Sequence, residues 1–177
     1  GVEVIGVDVN ADVVEVTNAG KLHIVEEGLE SLLQEVIASG NFKAYTQPQE
    51  ADAFFIVVPT PFKGNHEPDT SFVEAATMMV LPLLKEGDLY VIESTSPVGT
   101  TEKMTELIFK HRPELKDKIF IAYCPERVLP GNIIEELVNN DRVIGGINEE
   151  STEKVKEFYR HFVKGQLHST NCRTAEM

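Results

Sequence analysis

Cysteine is nearly absent: Cys124 and Cys172 are the only two in 177 residues. Two thiols build no disulfide framework, and a reducing cytoplasm is the expected compartment. Positive charge is also short, with 16 Lys and Arg against 29 Asp and Glu and a formal net charge of −13. Extended nucleic acid needs a basic footprint that this composition does not offer. A small phosphorylated ligand needs only a few backbone N–H groups and one Arg, so it stays open. Long apolar runs are missing. The stretch Ala53 to Pro59 falls far short of the roughly 20 residues that span a bilayer, so no membrane partner is expected. No signal-peptide pattern opens the chain. The five histidines, His23, His66, His111, His161 and His168, show no metal-ligand spacing, and no metal is expected. A Gly-rich phosphate loop following a strand is absent as well. The chain opens on Gly1-Val2-Glu3-Val4, inside a strand-like run and without Met. It stops at Thr174-Ala175-Glu176-Met177, which reads as the first turn of a helix. Both ends predict a piece of a longer chain.

With 42% hydrophobic and 25% charged residues the composition is that of an ordinary globular chain. Its length fits one domain and the start of a second. Val2 to Val7 predicts a strand ending at Asp8, with Asn10 as the cap of a helix over 11–18 and Gly20 as its stop. Leu29, Leu32, Leu33, Val36 and Ile37 recur at helical spacing before Gly40. Further strands are expected at 42–46, 53–58, 89–92, 119–122, 143–144 and 167–169. Further helices are expected from 70 or 71, over 100–110 and 133–138, and from a cap at Ser151 or Thr152 through Val155, Phe158, Tyr159 and Phe162. Pro82 is placed to kink a last turn. Strands alternating with helices predict an α/β, Rossmann-like doubly wound, mostly parallel sheet. Right-handed crossovers would then gather the loops after the strands on one rim.

Four strand ends carry chemistry. The organising stretch is KIFIAYCPERVLPG, Lys118 to Gly131, an apolar strand that delivers Glu126 and Arg127 to a loop. Ligands of open α/β sheets sit beyond such strand ends. Glu126 suits a general base and Arg127 an anionic or hydroxyl-rich ligand; the plain alternative is an Arg–Glu surface pair. Cys124 would need exposure and a nearby cation to act as a nucleophile, and it sits at the end of a buried strand. In Val58-Pro59-Thr60-Pro61 two prolines fix the Thr60 hydroxyl at a strand end, or simply stiffen a turn. Ser94 to Thr101 offers hydroxyls and a helix N-terminus for a carboxamide or a phosphate, against ordinary Ser or Thr capping. Asp8, in GVDVN, stands where an acid holds the ribose hydroxyls of an adenine nucleotide. No Arg follows to take a 2′-phosphate, which favours NAD over NADP. The same acid would serve S-adenosylmethionine in a methyltransferase, or merely shape a turn.

Taken together, GVDVN, HIVEEGL (His23 to Leu29), VPTPFKGNHEPD (Val58 to Asp69), ESTSPVGTTEKM (Glu93 to Met104), AYCPERVLPG (Ala122 to Gly131), NDRVIGG (Asn140 to Gly146) and RTAEM (Arg173 to Met177) resemble the UDP-glucose/GDP-mannose dehydrogenase family. The resemblance covers essentially the whole chain. It implies an oxidoreductase of nucleotide-sugar metabolism and polysaccharide biosynthesis. Such an enzyme oxidises the C6 primary alcohol of a nucleotide sugar to a carboxylate. Two hydrides go to two NAD molecules, and a cysteine carries a thiohemiacetal and then a thioester. By motif, Asp8 would hold the NAD ribose, and Thr60 and Thr95 would contact NAD. Thr95 would also help position water, Glu126 would assist thioester hydrolysis, and Arg127 and Val128 would contact the UDP-sugar substrate. PERVLPG points to UDP-N-acetyl-D-mannosamine, since the UDP-glucose branch carries Phe after the Glu. UDP-N-acetylglucosamine and UDP-glucose remain alternatives, as does a non-catalytic nucleotide-binding module. The resemblance makes residues 1–177 an incomplete NAD-binding domain. Its first strand and Gly-rich loop would precede Gly1. The central helix, the catalytic Lys and Asn, the nucleophilic Cys and the substrate domain would follow Met177. It also implies a homodimer or higher homo-oligomer for the full-length protein, and no turnover by this piece alone.

Overall fold

The computed structural model describes residues 2–22, 24, 26–64, 67–129 and 131–177. His23 and Val25 of HIVEEGL, Asn65 and His66 of the proline-flanked loop, Pro130 of PERVLPG and Gly1 lie outside the described residues. The chain divides into two compact units, one of Gly1–Gln49 with Val128–Leu137, the other of Glu50–Arg127 with Val138–Met177.

In the first unit β1 (Val4–Val7) and β2 (Phe42–Tyr45) form a parallel pair. Between them run α1 (Ala11–Asn18) and α2 (Leu29–Ala38). The Asn10 side chain accepts from the Asp12 N–H at 2.9 Å, which satisfies one amide of the first turn of α1. Gly20 and Gly40 follow the two helices with φ of 71° and 76°, the left-handed conformation in which a Cβ is disfavoured. Asn18 ties α1 to the edge of β2. Its amide donates to the Ala44 carbonyl at 2.9 Å and its carbonyl accepts from the Ala44 N–H at 2.8 Å. The apolar stripe of α2 has the predicted spacing, yet no residue of that helix is fully buried.

The second unit is a five-stranded sheet in the order β3 (Ala53–Ile56), β4 (Leu89–Ile92), β5 (Phe120–Tyr123), β6 (Arg142–Gly146) and β7 (Leu167–Asn171). The first three are mutually parallel, β6 runs antiparallel to β5, and β7 is parallel to β6. The doubly wound, mostly parallel α/β class is therefore present. The expectation of a single rim is corrected: β3, β4 and β5 end on one rim, and β6 and β7 end on the other. Its helices are α3 (Ser71–Val80), α4 (Thr100–His111), α6 (Glu149–Tyr159) and α7 (Cys172–Ala175), while α5 (Ile133–Asn139) lies mostly in the first unit.

Alternation along the strands supplies a core on each face. Phe54, Ile56, Tyr90, Ile92, Ile121 and Tyr123 pack with Val73, Met104 and Ile108 of α3 and α4. Val91, Ala122, Cys124 and Ile144 pack on the other face with Val155 and Tyr159 of α6. Full burial of each large apolar side chain contributes about 1.5–3 kcal/mol relative to exposure. The one phenol in the middle of β4 is satisfied, with the Tyr90 hydroxyl 2.6 Å from Thr77 Oγ1.

Several local expectations need correction. The strand at 53–58 stops at Ile56, and Val57 is 67% exposed, because the chain leaves the sheet toward the proline-flanked loop. Thr70 is the N-cap of α3, but its side chain makes no cap bond; the oxygen comes from Asp69, which accepts from the Ser71 N–H at 2.9 Å. Pro82 does not kink α3; it lies in a 3₁₀ turn, Leu81–Leu83, after the helix has ended. The cap of α6 is Asn148, accepting from the Ser151 N–H at 2.7 Å. Ser151 and Thr152 lie inside that helix, where their hydroxyls accept from the N–H groups of Ile121 and Gly146. The strand expected at 143–144 is longer, Arg142–Gly146, with Gly145 and Gly146 as its last two residues.

Candidate functional site

The ends of β3, β4 and β5 are in register, Ile56 beside Ile92 and Ile92 beside Tyr123. Each strand feeds a loop carrying one of the candidate residues. After β3, the Ser94 hydroxyl spans the two strand ends, accepting from the Val58 N–H at 2.7 Å and donating to the Ile56 carbonyl at 3.1 Å. The start of the Thr60 loop is thereby fixed by a residue of its neighbour. Farther out the loop folds on itself: Phe62 bridges Pro68, and Lys63 pairs with Asp69 at 3.1 Å. Hydrogen bonds from Ser71, with Lys63 nearby, hold the Asp69 carboxyl below its ordinary range. Thr60 is half-buried.

After β4 come two buried serines, Ser94 and Ser96, and between them an exposed Thr95. Ser96 donates its N–H to the Tyr123 hydroxyl at 3.3 Å and its own hydroxyl to the Ser94 carbonyl at 2.8 Å. The serines anchor the turn inward and leave the threonine hydroxyl facing out. The helix N-terminus that follows is not open to a ligand. Gly99 is the N-cap of α4 at φ 96°, with no side-chain cap of its own. The Glu176 carboxylate takes the N–H of Gly99 at 2.6 Å, the N–H of Thr101 at 2.7 Å and the Thr101 hydroxyl at 2.6 Å. A carboxylate is what the positive end of a helix attracts. The expected place for a carboxamide or a phosphate, and the expected Ser or Thr cap, are both replaced by this contact.

After β5 the expected Arg–Glu neighbour pair is also replaced. Glu126 Oε1 accepts from the Arg127 backbone N–H at 2.7 Å, while Oε2 accepts from Arg142 Nη2 at 2.9 Å. The Arg127 side chain is exposed. The Arg142 guanidinium is buried, lies 5.1 Å from the centre of the Tyr159 ring and has Nη1 3.9 Å from Glu93 Oε1. The Tyr159 hydroxyl donates to that same Glu93 oxygen. Burial raises the Glu93 carboxyl above its ordinary range, with Tyr159 and Arg142 offsetting part of the rise. Burial likewise pushes the Tyr159 phenol far up. The Cys124 thiol is fully buried among these groups, and burial pushes it up to about 11. Thiolate is the nucleophile, so Cys124 is an inert core thiol. Cys172 is also buried and its thiol also raised, by desolvation and then by Glu176.

In the first unit Asp8 is exposed at the carboxyl end of β1. Its N–H continues the ladder to the Tyr45 carbonyl at 3.1 Å, and its Oδ1 accepts from the Asn10 N–H at 2.8 Å. Val128 is half-buried. Its loop is anchored by Glu26 of HIVEEGL, whose carboxylate takes the N–H groups of Gly131 and Ile133, each at 2.8 Å. The structure therefore brings Thr60, Thr95, Glu126 and Arg127 to one rim of one sheet, while Asp8 and Val128 belong to the other unit. Sequence reasoning passed over Glu93, Arg142, Tyr159, Glu176 and Glu26. The one available signal was Arg142, a charge opening the otherwise apolar run RVIGG. Among the described residues no group of three or more His, Cys, Asp and Glu is placed to hold a metal ion. No described helix is long and apolar enough to cross a membrane.

A doubly wound sheet with polar loops at the ends of its parallel strands is the architecture of dinucleotide-binding domains. Residues 1–163 match the NAD binding domain of the UDP-glucose/GDP-mannose dehydrogenase family, and the chain belongs to that family, whose cofactor is NAD. It is 50% identical over 185 residues to the UDP-N-acetyl-D-mannosamine dehydrogenase of Campylobacter jejuni, covering 99% of this chain and 46% of that protein. The enzyme of that name from Yersinia pestis is 50% identical over 183 residues, covering 99% of this chain and 44% of its own length. The native structure of the UDP-N-acetyl-mannosamine dehydrogenase from Staphylococcus aureus matches with a TM-score of 0.95 at 39% identity, over 99% of this chain and 43% of that one. The chain thus spans less than half the length of the curated relatives it matches.

Proposed function

We propose that residues 1–177 are an incomplete NAD-binding domain of a dehydrogenase that oxidises the C6 primary alcohol of UDP-N-acetyl-D-mannosamine to the carboxylate in two hydride transfers. The observation that carries the reading is Glu126, a carboxylate at the end of a parallel strand with one oxygen held by a buried guanidinium. It lies in a chain half identical to two enzymes named for that substrate. The residues present fit the cofactor. Asp8 is an exposed carboxylate at a strand end, suited to ribose hydroxyls, and Thr60 and Thr95 offer hydroxyls at two neighbouring strand ends. NAD supplies the hydride acceptor for each oxidation.

Glu126 takes the proton from a water that adds to the thioester carbon, and the thiolate leaves. Thr95 orients that water, and Arg127 and Val128 contact the substrate. The nucleophilic thiol lies outside these 177 residues, because Cys124 and Cys172 are both buried with raised thiols. The full-length protein works in the cytoplasm as a homodimer or higher homo-oligomer. Supplied with NAD and a panel of UDP-sugars, it forms two NADH per UDP-N-acetylmannosamine, while the 177-residue chain forms none. No NADH from any UDP-sugar would overturn the dehydrogenase reading. A preference for UDP-glucose or UDP-N-acetylglucosamine would reassign the substrate.

Asp8→Ala in the full-length protein weakens NAD binding by about 1–3 kcal/mol, the usual loss when a charged hydrogen-bond partner is removed. Calorimetric titration with NAD measures it, and an unchanged dissociation constant would remove Asp8 from the site.

A further inference from the structure

We propose that Arg142 is the positioning residue of the Glu126 carboxylate; the inference rests on the reading of Glu126 as the base of thioester hydrolysis. The antiparallel pairing of β6 is what creates the contact. Tyr123 faces Gly145 and Ala122 faces Gly146. Carrying that register three residues outward sets Glu126 opposite Arg142. A parallel β6 would have put residue 142 at the other rim.

Arg142 is 4% exposed, and its guanidinium is always charged. An ion so desolvated is retained only against a well-placed counter-charge. Here the counter-charges are Glu126 Oε2 at 2.9 Å and Glu93 Oε1 at 3.9 Å. The Tyr159 ring seats the guanidinium, and the Tyr159 hydroxyl in turn fixes Glu93. Glu126 is then held at both oxygens, Oε2 by Arg142 and Oε1 by the Arg127 backbone N–H. The carboxylate can swing only by breaking one of these bonds. Its plane, and so the direction in which it presents a lone pair to water, is set by Arg142. On the reading of Glu126 as the base of thioester hydrolysis, this arrangement acts after the thioester has formed.

The test uses the full-length protein and two variants. Arg142→Lys keeps the charge and loses the planar fork; Arg142→Met removes the charge and keeps much of the bulk. In Arg142→Lys, steady-state turnover is expected to fall on the order of 10- to 100-fold, the scale of a displaced catalytic group. A rapid burst of NADH persists, the sugar stays covalently attached, and the Michaelis constant for NAD is unchanged. Arg142→Met falls further. Combined with Glu126→Gln, either substitution adds little, because both act on one group. Wild-type turnover in both variants, or loss of the burst together with turnover, would overturn the proposal. Should Arg142→Met not fold, Arg142→Lys decides alone. A crystal structure of Arg142→Lys supplies a readout independent of activity: Glu126 is expected in a new orientation, and an unmoved Glu126 would overturn the inference. Normal turnover in Glu126→Gln would instead sink the base reading, leaving Arg142 to be judged by that orientation.

Discussion

Glu126→Gln in the full-length protein is expected to give a burst of NADH followed by turnover slowed roughly 10²–10⁴-fold, the usual contribution of a general base. The amide keeps the shape of the side chain and can still accept from Arg142, but it no longer takes a proton from water. On the proposed reading, hydride transfer up to the thioester need not use this group, so the sugar is expected to accumulate on the protein. Rapid-mixing absorbance reads the burst, and intact mass reads the adduct. The substitution also leaves the buried Arg142 with a neutral partner at Glu126, so thermal unfolding should be followed in parallel to separate a folding defect from a chemical one. Normal steady-state turnover would make Glu126 a purely structural partner of Arg142. Slow turnover with neither burst nor adduct would place its role earlier, in holding substrate beside Arg127.

The parts of this molecule that were legible in the sequence are those whose causes are local. Asn10 caps α1 two residues from the amide it satisfies, and Gly20 and Gly40 stop their helices by φ alone. Thr60, Thr95 and Glu126 could be placed together because each follows an apolar run by a few residues, and parallel strands end on one rim. What escaped depends on partners far along the chain. The cap of α4 comes from Glu176, 75 residues beyond Thr101, so no window around Ser94 to Thr101 contains it. Ser151 and Thr152 looked like caps, yet their hydroxyls are committed to Ile121 and Gly146 on neighbouring strands. Tyr159 falls on the apolar stripe of α6, and periodicity registers its ring but not the destination of its hydroxyl. Arg142 reaches Glu126 only because β6 runs antiparallel, and strand direction is not written in a five-residue run.

The same strand carries a large expected effect on stability. Gly145→Ala places a Cβ 2.3 Å from the Asn171 carbonyl oxygen, 2.6 Å from its carbon and 2.7 Å from the Ala175 Cβ. Two of the three are backbone atoms, so no side chain can swing aside; β6 must move away from the corner where β7 turns into α7. Overpacking typically costs about 1–3 kcal/mol, occasionally more, and contacts with rigid backbone belong at the upper end. At the roughly 2–4 °C per kcal/mol expected of a chain this size, the melting temperature should fall by about 6–12 °C. Gly40→Ala is the control. Nothing lies within 4 Å of its added Cβ, and its only burden is the left-handed φ of 76°, worth about 1–2 kcal/mol. A melting temperature for Gly145→Ala equal to that of the unsubstituted chain would show that β6 yields without cost and that the close approach at Gly145 does not matter. Because Arg142 opens the strand that must shift, Gly145→Ala in the full-length protein should also lose turnover with the hydrolysis-limited signature described for Arg142→Lys. The Gly40 variant should not.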